Sequence, residues 1–190
     1  FVARQVMPSL EAPSRLQSLL QPAMTESFAR AMCFSPRDLL VVVASEDGMV
    51  RVWDWAVPRL RHVFVGHRAE AVAVDVAMTD PAALVATGSA DGTARVWSLQ
   101  TGKCLLTLQH WAGDLTSGEM SAVRFVGAGA DTLAAGGTDG EVKLFDVARG
   151  ALHDRLSGHT QAVRCFSFFF LKKIEKEEEE KKRGRGAKGG

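Results

Sequence analysis

The chain has 190 residues, of which 46% are hydrophobic and 24% are charged, a composition typical of one soluble domain with a packed core. Its net charge of +1 gives no reason to expect a nucleic-acid-binding face, and no apolar run approaches the roughly 18 residues that a membrane helix needs. Cys33, Cys104 and Cys165 lie far apart, without CxxC spacing or nearby paired histidines. This spacing argues against a disulfide framework or a zinc site and favours a reducing compartment.

The first predicted elements belong to an N-terminal segment, residues 1–27. Within it, Arg15 to Leu20 (RLQSLL) has the pattern of an outer strand of a preceding unit. Ser27 to Phe34 (SFARAMCF) follows as the first strand of the next unit, and the alternative interpretation is a short amphipathic helix in a linker. Because the chain opens at Phe1 instead of Met, we expect that its true N-terminus lies upstream.

Three segments then repeat one pattern, in which an apolar strand leads through an Asp-Gly turn into an alternating strand that ends in an aromatic residue. The Asp-Gly pair is a tight-hairpin signal because glycine accepts a positive φ at no steric cost. A Gly-His pair occurs at Gly66-His67 and again at Gly158-His159, with His110 in the equivalent place between them. The turn aspartates are Asp47, Asp91 and Asp139, and the strand-ending aromatic residues are Trp53, Trp97 and Phe145.

Each unit is predicted to contain four short strands, and the second unit illustrates them. Ala71 to Val76 alternates in the manner of a half-buried strand, and Leu84 to Gly88 is continuously apolar. Thr93 to Leu99 alternates again, and Cys104 to Leu108 completes the unit after the turn at Thr101-Gly102. No stretch combines the length and the 3.6-residue period of a globular helix, so we expect an all-β fold.

This spacing of Gly-His, Ser-x-Asp-Gly and Trp-Asp resembles the WD-repeat family, whose members are β-propellers with four-stranded blades. The resemblance covers about Arg15 to Phe168. It implies blades at about 28–66, 67–109 and 110–157, and the start of a further blade at 158–168. Propellers typically close with four to eight blades, so about three blades with partial blades at both ends predict an incomplete propeller or arc. We therefore expect the chain to be a fragment of a longer protein.

The resemblance also implies that the recurring polar residues are structural. In this family a histidine, a strand serine or threonine, the turn aspartate and the tryptophan form a buried hydrogen-bonded network. A catalytic pairing of His67 with Asp91 is the alternative, and the recurrence of the pattern with each blade argues against it. The implied members are His67, Asp91, Trp97 and either Thr87 or Ser89 in the second blade, Ser45, Asp47 and Trp53 in the first, His110 and Asp139 in the third, and His159 in the further blade.

Two departures from the family pattern weaken the implied networks of the first and third blades. Pro22 or Ala23 occupies the histidine position of the first blade, and Phe145 has no indole N–H to donate. A buried polar group without a partner costs roughly 1–3 kcal/mol, so we expect these two networks to be incomplete.

The C-terminal segment, residues 169–190, differs in composition from the blades. From residue 172 onward it contains 8 Lys or Arg and 5 Glu, and such charge runs stay solvated because they bury little apolar surface. We interpret it as a disordered charged tail or as sequence that runs past the proper end of the protein. Weak RNA binding through the Gly-Arg-Gly end is a further alternative.

The predicted function is that of a non-catalytic scaffold for protein–protein interaction, with a partner-facing rim at Arg68, Glu70 and Gln161. We expect no cofactor, metal, membrane or small-molecule partner, since the sequence has no Gly-rich phosphate loop, HExxH or GxSxG motif. Val50 to Cys104 is similar to WD-repeat subunits of the small-subunit processome, which implies ribosomal RNA processing in the nucleolus as one alternative. A cullin-RING substrate adaptor is another, although Ala56, Gln100 and Ala148 stand where such adaptors often carry Arg or Lys. The expected location is intracellular, either nuclear or nucleolar, or cytoplasmic.

Overall fold

The computed structural model describes residues 27–35, 39–79, 83–109, 118–127 and 129–166. In these ranges the chain forms strands and no helix, and hence contains no helix that could cross a membrane. The strands are β1 (Ala29–Ser35), β2 (Leu40–Ser45), β3 (Val50–Asp54), β4 (Arg59–Phe64), β5 (Ala71–Met78), β6 (Ala83–Ser89), β7 (Thr93–Ser98), β8 (Cys104–Gln109), β9 (Met120–Val126), β10 (Thr132–Gly137), β11 (Val142–Asp146) and β12 (Ala151–Leu156).

These strands form three antiparallel sheets of four consecutive strands each: blade 1 from β1 to β4, blade 2 from β5 to β8, and blade 3 from β9 to β12. The first strand of each blade is innermost, and β1 contacts β5, which in turn contacts β9. The prediction of an all-β propeller arc with three four-stranded blades is thereby confirmed, and the described arrangement is open. Because β1 is a strand, the helical alternative for residues 27–34 is wrong.

The Asp-Gly turns join the second and third strands of each blade, where the sequence predicted tight hairpins. Gly48, Gly92 and Gly140 have φ values of 75°, 76° and 80°, which an L side chain rarely adopts. A Cβ on Gly48 would lie 2.8 Å from the carbonyl oxygen of Ala69 in the next blade. All three glycines therefore suit the turn, and Gly48 is also required for the close approach of the loop that leads into blade 2.

The core of the molecule lies between the blades, because each sheet buries one face against the sheet that follows it. Between blades 1 and 2, the rings of Phe64 and Trp97 stack with centroids 5.0 Å apart. Such a contact contributes about 0.5–1.5 kcal/mol beyond the burial of apolar area. The joint between blades 2 and 3 is built in the same way, with Val96 and Leu108 on one side and Phe125 and Phe145 on the other.

A segment that follows the third sheet, residues 157–166, covers part of the far face of blade 3. Val163 and Phe166 pack there against Val142 and Leu144. The amide of Val163 donates to the carbonyl oxygen of Gly137 at 3.0 Å. The segment thus meets blade 3 on the face opposite to the one that packs against blade 2, and it starts from the second Gly-His pair.

Candidate functional site

The second blade contains a complete buried network of four side chains. His67, with a fully buried side chain, reaches Asp91 Oδ2 through Nδ1 at 3.2 Å and Thr87 Oγ1 through Nε2 at 2.7 Å. The indole N–H of Trp97 donates to the same Thr87 oxygen at 2.9 Å. The network therefore links the loop before β5 to strands β6 and β7, and Thr87 is the residue in direct contact with both rings.

One arrangement of protons satisfies all of these groups with a neutral imidazole. We assign the donor of His67 to Nδ1, facing the carboxylate of Asp91, which leaves Nε2 to accept the Thr87 hydroxyl proton. Thr87 then accepts from Trp97 while it donates to His67. Each polar atom of this hydrogen-bonded network has a partner, which a buried network needs in order to be stabilising.

Asp91 is held in its ionised form by the donors around it. Burial opposes its charge, but hydrogen bonds from His67, from the hydroxyl and amide of Thr93 and from the amide of Arg68 outweigh that effect. The pKa of Asp91 consequently lies far below its usual range. The Arg68 amide donates to Asp91 Oδ2 at 2.9 Å, so this carboxylate fixes the loop immediately before β5.

Ser89, which the sequence offered as an alternative to Thr87 for the hydroxyl of the network, makes different hydrogen bonds. Its hydroxyl donates to the carbonyl oxygen of Ala69 at 3.2 Å and accepts from the amide of Asp91 at 3.0 Å. Thr93, which the sequence did not single out, donates to Asp91 Oδ1 at 2.6 Å. The sequence signal that could have identified Thr93 is a hydroxyl residue two positions after the turn aspartate.

The first blade holds its turn aspartate in a different way. Arg51, a residue of β3 that is only 9% exposed, binds Asp47 Oδ2 at 2.7 Å and Ser45 Oγ at 3.3 Å. Trp53 is half-buried, and it lies on the face of blade 1 that is turned away from blade 2. The proposed histidine position at Pro22 or Ala23 lies outside the described residues. An arginine therefore contacts Asp47 in blade 1, where a histidine contacts Asp91 in blade 2.

In the third blade, a lysine at the repeat position of Arg51 contacts the turn aspartate. Lys143, whose side chain is fully buried, lies 3.3 Å from Asp139 Oδ2 and 3.3 Å from Glu141 Oε2. His110 lies outside the described residues, so its expected bond to this blade stays a prediction. Phe145, which cannot donate, is 3% exposed and packs in the apolar joint with blade 2.

The three cations at these positions are repeat equivalents that sequence reasoning missed. Arg51, Arg95 and Lys143 each stand two residues before the aromatic residue of the third strand. In blade 2, where His67 already binds the aspartate, Arg95 lies over the Trp97 ring at 6.0 Å from its centroid. The signal in the sequence is the repeated tripeptide of a basic residue, an aliphatic residue and an aromatic residue: RVW, RVW and KLF.

A second polar group missed from the sequence joins the innermost strands of all three blades. Asp75 in β5 accepts the amide proton of Phe125 at 2.8 Å and lies 3.3 Å from Arg124 Nη1, both in β9. Its other neighbour is the thiol of Cys33 in β1, at 3.9 Å. Burial raises the pKa of Asp75, and the bonds from Phe125 and Arg124 only partly offset that effect. Burial, followed by the charge of Asp75, also raises the pKa of the Cys33 thiol.

The predicted rim residues lie beside the network at the same end of the blades. Arg68 is exposed, although its backbone amide is held by Asp91. Glu70 is half-buried and forms an ion pair of 2.8 Å with Arg30 of blade 1. Gln161 and His159 are exposed in the segment after blade 3, so His159 is not part of a buried network within the described residues.

The described residues contain no group of three or more His, Cys, Asp or Glu side chains placed to hold a metal ion. The remaining histidines lie on outer strands: His62 stacks on Phe64 with a centroid distance of 6.2 Å, and His153 is exposed in β12.

Comparison with protein-family models matches residues 20–54 and 58–98 to the WD domain, G-beta repeat. Together with the repeated sheets and the network of blade 2, this match shows that the chain belongs to the WD-repeat family, a family of protein-interaction scaffolds.

Curated relatives carry the same repeats in longer proteins. The chain is 29% identical over 143 residues to nuclear distribution protein nudF 1 of Talaromyces marneffei, a match that covers 72% of this chain and 29% of that protein. It is 30% identical over 125 residues to the COMPASS component SWD3 of Saccharomyces cerevisiae, covering 64% of this chain and 39% of the relative. The chain therefore spans less than half the length of these relatives.

Solved structures with the same fold include two computationally designed proteins. The Ika4 protein matches with a TM-score of 0.65 and 27% identity, over 77% of this chain and 82% of that one. The Ika8 protein matches with a TM-score of 0.64 and 27% identity, over 77% of this chain and 42% of that one.

Proposed function

We propose that the chain is a non-catalytic scaffold that binds partner proteins at the rim formed by the loops before the innermost strands. The observation that carries this proposal is the contrast between neighbours in the loop before β5. His67 is buried and bonded to Thr87 and Asp91, whereas the next residue, Arg68, is exposed. A loop with its backbone fixed from within and its charged side chain free is suited to recognition, because little order has to be created on binding.

The same network is better explained as support than as an active site. The imidazole of His67 is fully buried, and its contacts with Asp91 and Thr87 occupy both ring nitrogens, which a catalytic histidine would need to turn toward a substrate. The other turn aspartates are occupied by Arg51 and Lys143. These contacts support a frame that presents loops to a partner.

The relatives support a role inside multiprotein assemblies. One is called a COMPASS component and another a nuclear distribution protein, and each is longer than the part that this chain matches. We infer that the chain assembles with other proteins in the nucleus or cytoplasm, and that its blades belong to a larger propeller. Roles in the small-subunit processome or as a cullin-RING adaptor stay alternatives that no contact described above favours. The tail proposed for weak RNA binding, residues 169–190, lies outside the described residues.

A charge reversal at the rim tests the proposed function. We expect Arg68→Glu to reduce the amount of copurifying partner protein by about tenfold, which corresponds to a loss of roughly 1.4 kcal/mol of binding free energy. Arg149→Glu is the matched control, because Arg149 is exposed in the turn between β11 and β12 at the opposite end of the blades. The measurement is quantitative mass spectrometry of proteins that copurify with the wild type and with each variant from the same cells.

The two variants separate the possible results. Depletion by Arg68→Glu with retention by Arg149→Glu supports the rim, provided that both variants unfold at the wild-type temperature. An unchanged set of copurifying proteins for Arg68→Glu, or the same loss for both variants, contradicts it.

A further inference from the structure

The guanidinium of Arg95 in blade 2 has no carboxylate partner among the residues that the structure describes. Arg95 stands four residues after Asp91, which is the spacing at which the cations of blades 1 and 3 bind their turn aspartates. Its Nε atom is buried and has no hydrogen-bond partner in the described part of the chain. Buried polar groups normally have such a partner, so the position of Arg95 needs an explanation.

This guanidinium lies beside the loop before β5, residues 65–70. A Cβ added at Gly66 would lie 2.5 Å from Nη1 of Arg95, so the cation reaches the backbone of that loop. Arg95 and His67 also share the Trp97 ring: the guanidinium lies 6.0 Å from the ring centroid, and the tilted imidazole lies 6.3 Å from it. The two side chains are therefore neighbours around one ring, and His67 is the one that binds Asp91.

Blade 1 shows which contacts an arginine makes at this repeat position. Arg51 lies 2.7 Å from Asp47 Oδ2 and 3.3 Å from Ser45 Oγ. Blade 2 offers the same two acceptors at the same spacing, in Asp91 and Ser89. The arginine of blade 2 thus has a complete set of acceptors within its own hairpin.

The Oδ2 atom of Asp91 is the acceptor for which the loop and the arginine compete. His67 Nδ1 lies 3.2 Å from it and the amide of Arg68 donates to it at 2.9 Å, and both belong to the loop before β5. The Oδ1 atom is bound separately, by the amide of Thr93 at 2.9 Å. Withdrawal of the loop therefore opens Oδ2 while the turn itself stays held through Oδ1.

We propose that Arg95 is a second partner of Asp91, which occupies Oδ2 when the loop before β5 leaves it. The guanidinium then moves from the Trp97 ring onto Asp91 and Ser89, in the arrangement that the arginine of blade 1 has. Its rigid fork of donors suits this place because it matches the geometry of a carboxylate. The loop thus has a docked state, in which His67 binds Asp91, and a released state, in which Arg95 does.

The exchange makes the rim adjustable, and in this respect it rests on the proposed function. Without Arg95, release of the loop would leave the partly buried carboxylate of Asp91 short of a partner, which is costly. With the exchange, the released loop lets Arg68 follow the shape of a bound protein. The minor state of such a two-state element is typically populated at about 0.1–10%, and a partner that binds it shifts the population toward it.

Hydrogen exchange of the free chain tests the two states, because the Arg68 amide is bonded in the docked state alone. We expect this amide to exchange about tenfold more slowly in Arg95→Met than in the wild type, since the released state loses its partner for Asp91. Methionine keeps a flexible apolar chain beside Trp97 without the charge. Lys103→Met is the matched control, because Lys103 is exposed in the turn between β7 and β8 of the same blade, and it should leave the rate unchanged.

The sign of the effect separates the exchange from a purely structural role. If Arg95 only supports Trp97 by stacking, Arg95→Met leaves the exchange rate of the Arg68 amide unchanged or raises it. Either result overturns the proposal.

A double-mutant cycle gives a second measurement by urea titration. His67→Ala empties the place beside Asp91, so Arg95→Met should lower the folding equilibrium constant at least tenfold more in that background than in the wild type. The Thr93 amide should stay protected in His67→Ala and lose protection in the double variant. Equal effects of Arg95→Met in the two backgrounds contradict the exchange.

The two measurements are independent of each other and of the rim test. Exchange in Arg95→Met requires no change at His67, so it decides the matter even if His67→Ala does not fold. Both measurements use the chain without a partner, so a failure of Arg68→Glu to reduce copurification would count against the rim and leave the exchange standing.

Discussion

At the scale of single residues, the three turn aspartates have the same position but different partners. Asp91 is bound by a histidine from the preceding loop, Asp47 by an arginine and Asp139 by a lysine of its own blade. In every case the partner side chain is at most 11% exposed, so the aspartate is tied to the interior of its blade.

Replacement of Thr87 tests the network of blade 2. Thr87→Val keeps the shape of the side chain but leaves both His67 Nε2 and the Trp97 indole without their shared partner. We expect a loss of about 2–4 kcal/mol in the free energy of unfolding, since each unsatisfied buried group costs roughly 1–3 kcal/mol. Urea titration followed by tryptophan fluorescence measures it. Thr107→Val, on the exposed side of β8, should change stability by less than about 0.5 kcal/mol, and an equal effect of both substitutions would contradict the network.

The low pKa of Asp91 gives a prediction about acid stability. A carboxyl whose folded pKa is depressed contributes stability above its unfolded pKa of about 4, and that contribution is lost as the pH falls toward the folded pKa. We therefore expect the wild type to lose its advantage over Asp91→Asn progressively below about pH 4. Thermal midpoints of both proteins, measured between neutral and strongly acidic pH, check this. A difference in thermal midpoint between the two proteins that stays constant or grows as the pH falls would contradict the low pKa of Asp91.

The buried lysine of blade 3 gives a comparison of two substitutions. Lys143→Met removes the charge opposite Asp139 and Glu141 and should destabilise by about 1–3 kcal/mol, less than for a fully buried pair because both carboxylates are partly exposed. Lys143→Arg should cost less than about 1 kcal/mol, since Arg51 makes the equivalent bond in blade 1. Denaturant titrations of both variants measure this. A Met variant as stable as the Arg variant would show that the ion pair contributes nothing.

At the scale of the strands, the innermost strands are joined by a polar row as well as by apolar packing. Cys33, Asp75 and Arg124 have the same register position in β1, β5 and β9, opposite Val42, Ala86 and Ala134. Asp75 accepts the backbone amide of Phe125, which no strand of its own sheet reaches on that side. A carboxylate of one blade thus aligns the first strand of the next.

The pH dependence of Asp75 should have the opposite sign to that of Asp91. Burial raises its folded pKa, so its contribution to stability is present below the unfolded pKa of about 4 and is lost as the pH rises through the folded pKa. Relative to Asp75→Asn, the wild type should therefore become less stable as the pH increases above about 4. The same thermal midpoints measure this, and a wild type that gains stability over the variant in that range would refute the assignment.

The strands were predictable from sequence, but several of their polar contacts were not. Alternation and the Asp-Gly turns placed the strands of blade 2 close to their observed bounds, because these signals are local. Asp75 looked like any exposed residue of an alternating strand, since its partners Phe125 and Arg124 lie about fifty residues further along the chain. Contacts between blades depend on how sheets stack, and no local pattern encodes them.

At the scale of the whole molecule, each blade is stabilised by its neighbours and not by itself. Trp97 is 2% exposed because Phe64 of blade 1 stacks on it, whereas its equivalent Trp53, on the face of blade 1 turned away from blade 2, is half-buried. The repeated sequence predicted the order of the blades and an open arc. It could not show that Trp53 and Trp97 differ in burial, because that difference depends on which blade packs against each of them.

The buried network of blade 2 also bears on the proposed function, because it reaches the loop that carries the rim. The bonds of Asp91 to His67 and to the Arg68 amide connect the interior of blade 2 to the loop that carries the rim. Loss of the network is therefore expected to loosen the rim before it unfolds the blades.

Hydrogen exchange at the Arg68 amide tests this central claim most directly, because that single N–H donates to Asp91 Oδ2. We expect it to be protected in the wild type and to exchange about tenfold faster or more in Thr87→Val, while amides of β10 in blade 3 keep their wild-type rates. An Arg68 amide that exchanges freely in the wild type, or at an unchanged rate in the variant, would contradict the claim that the buried network holds the rim in place.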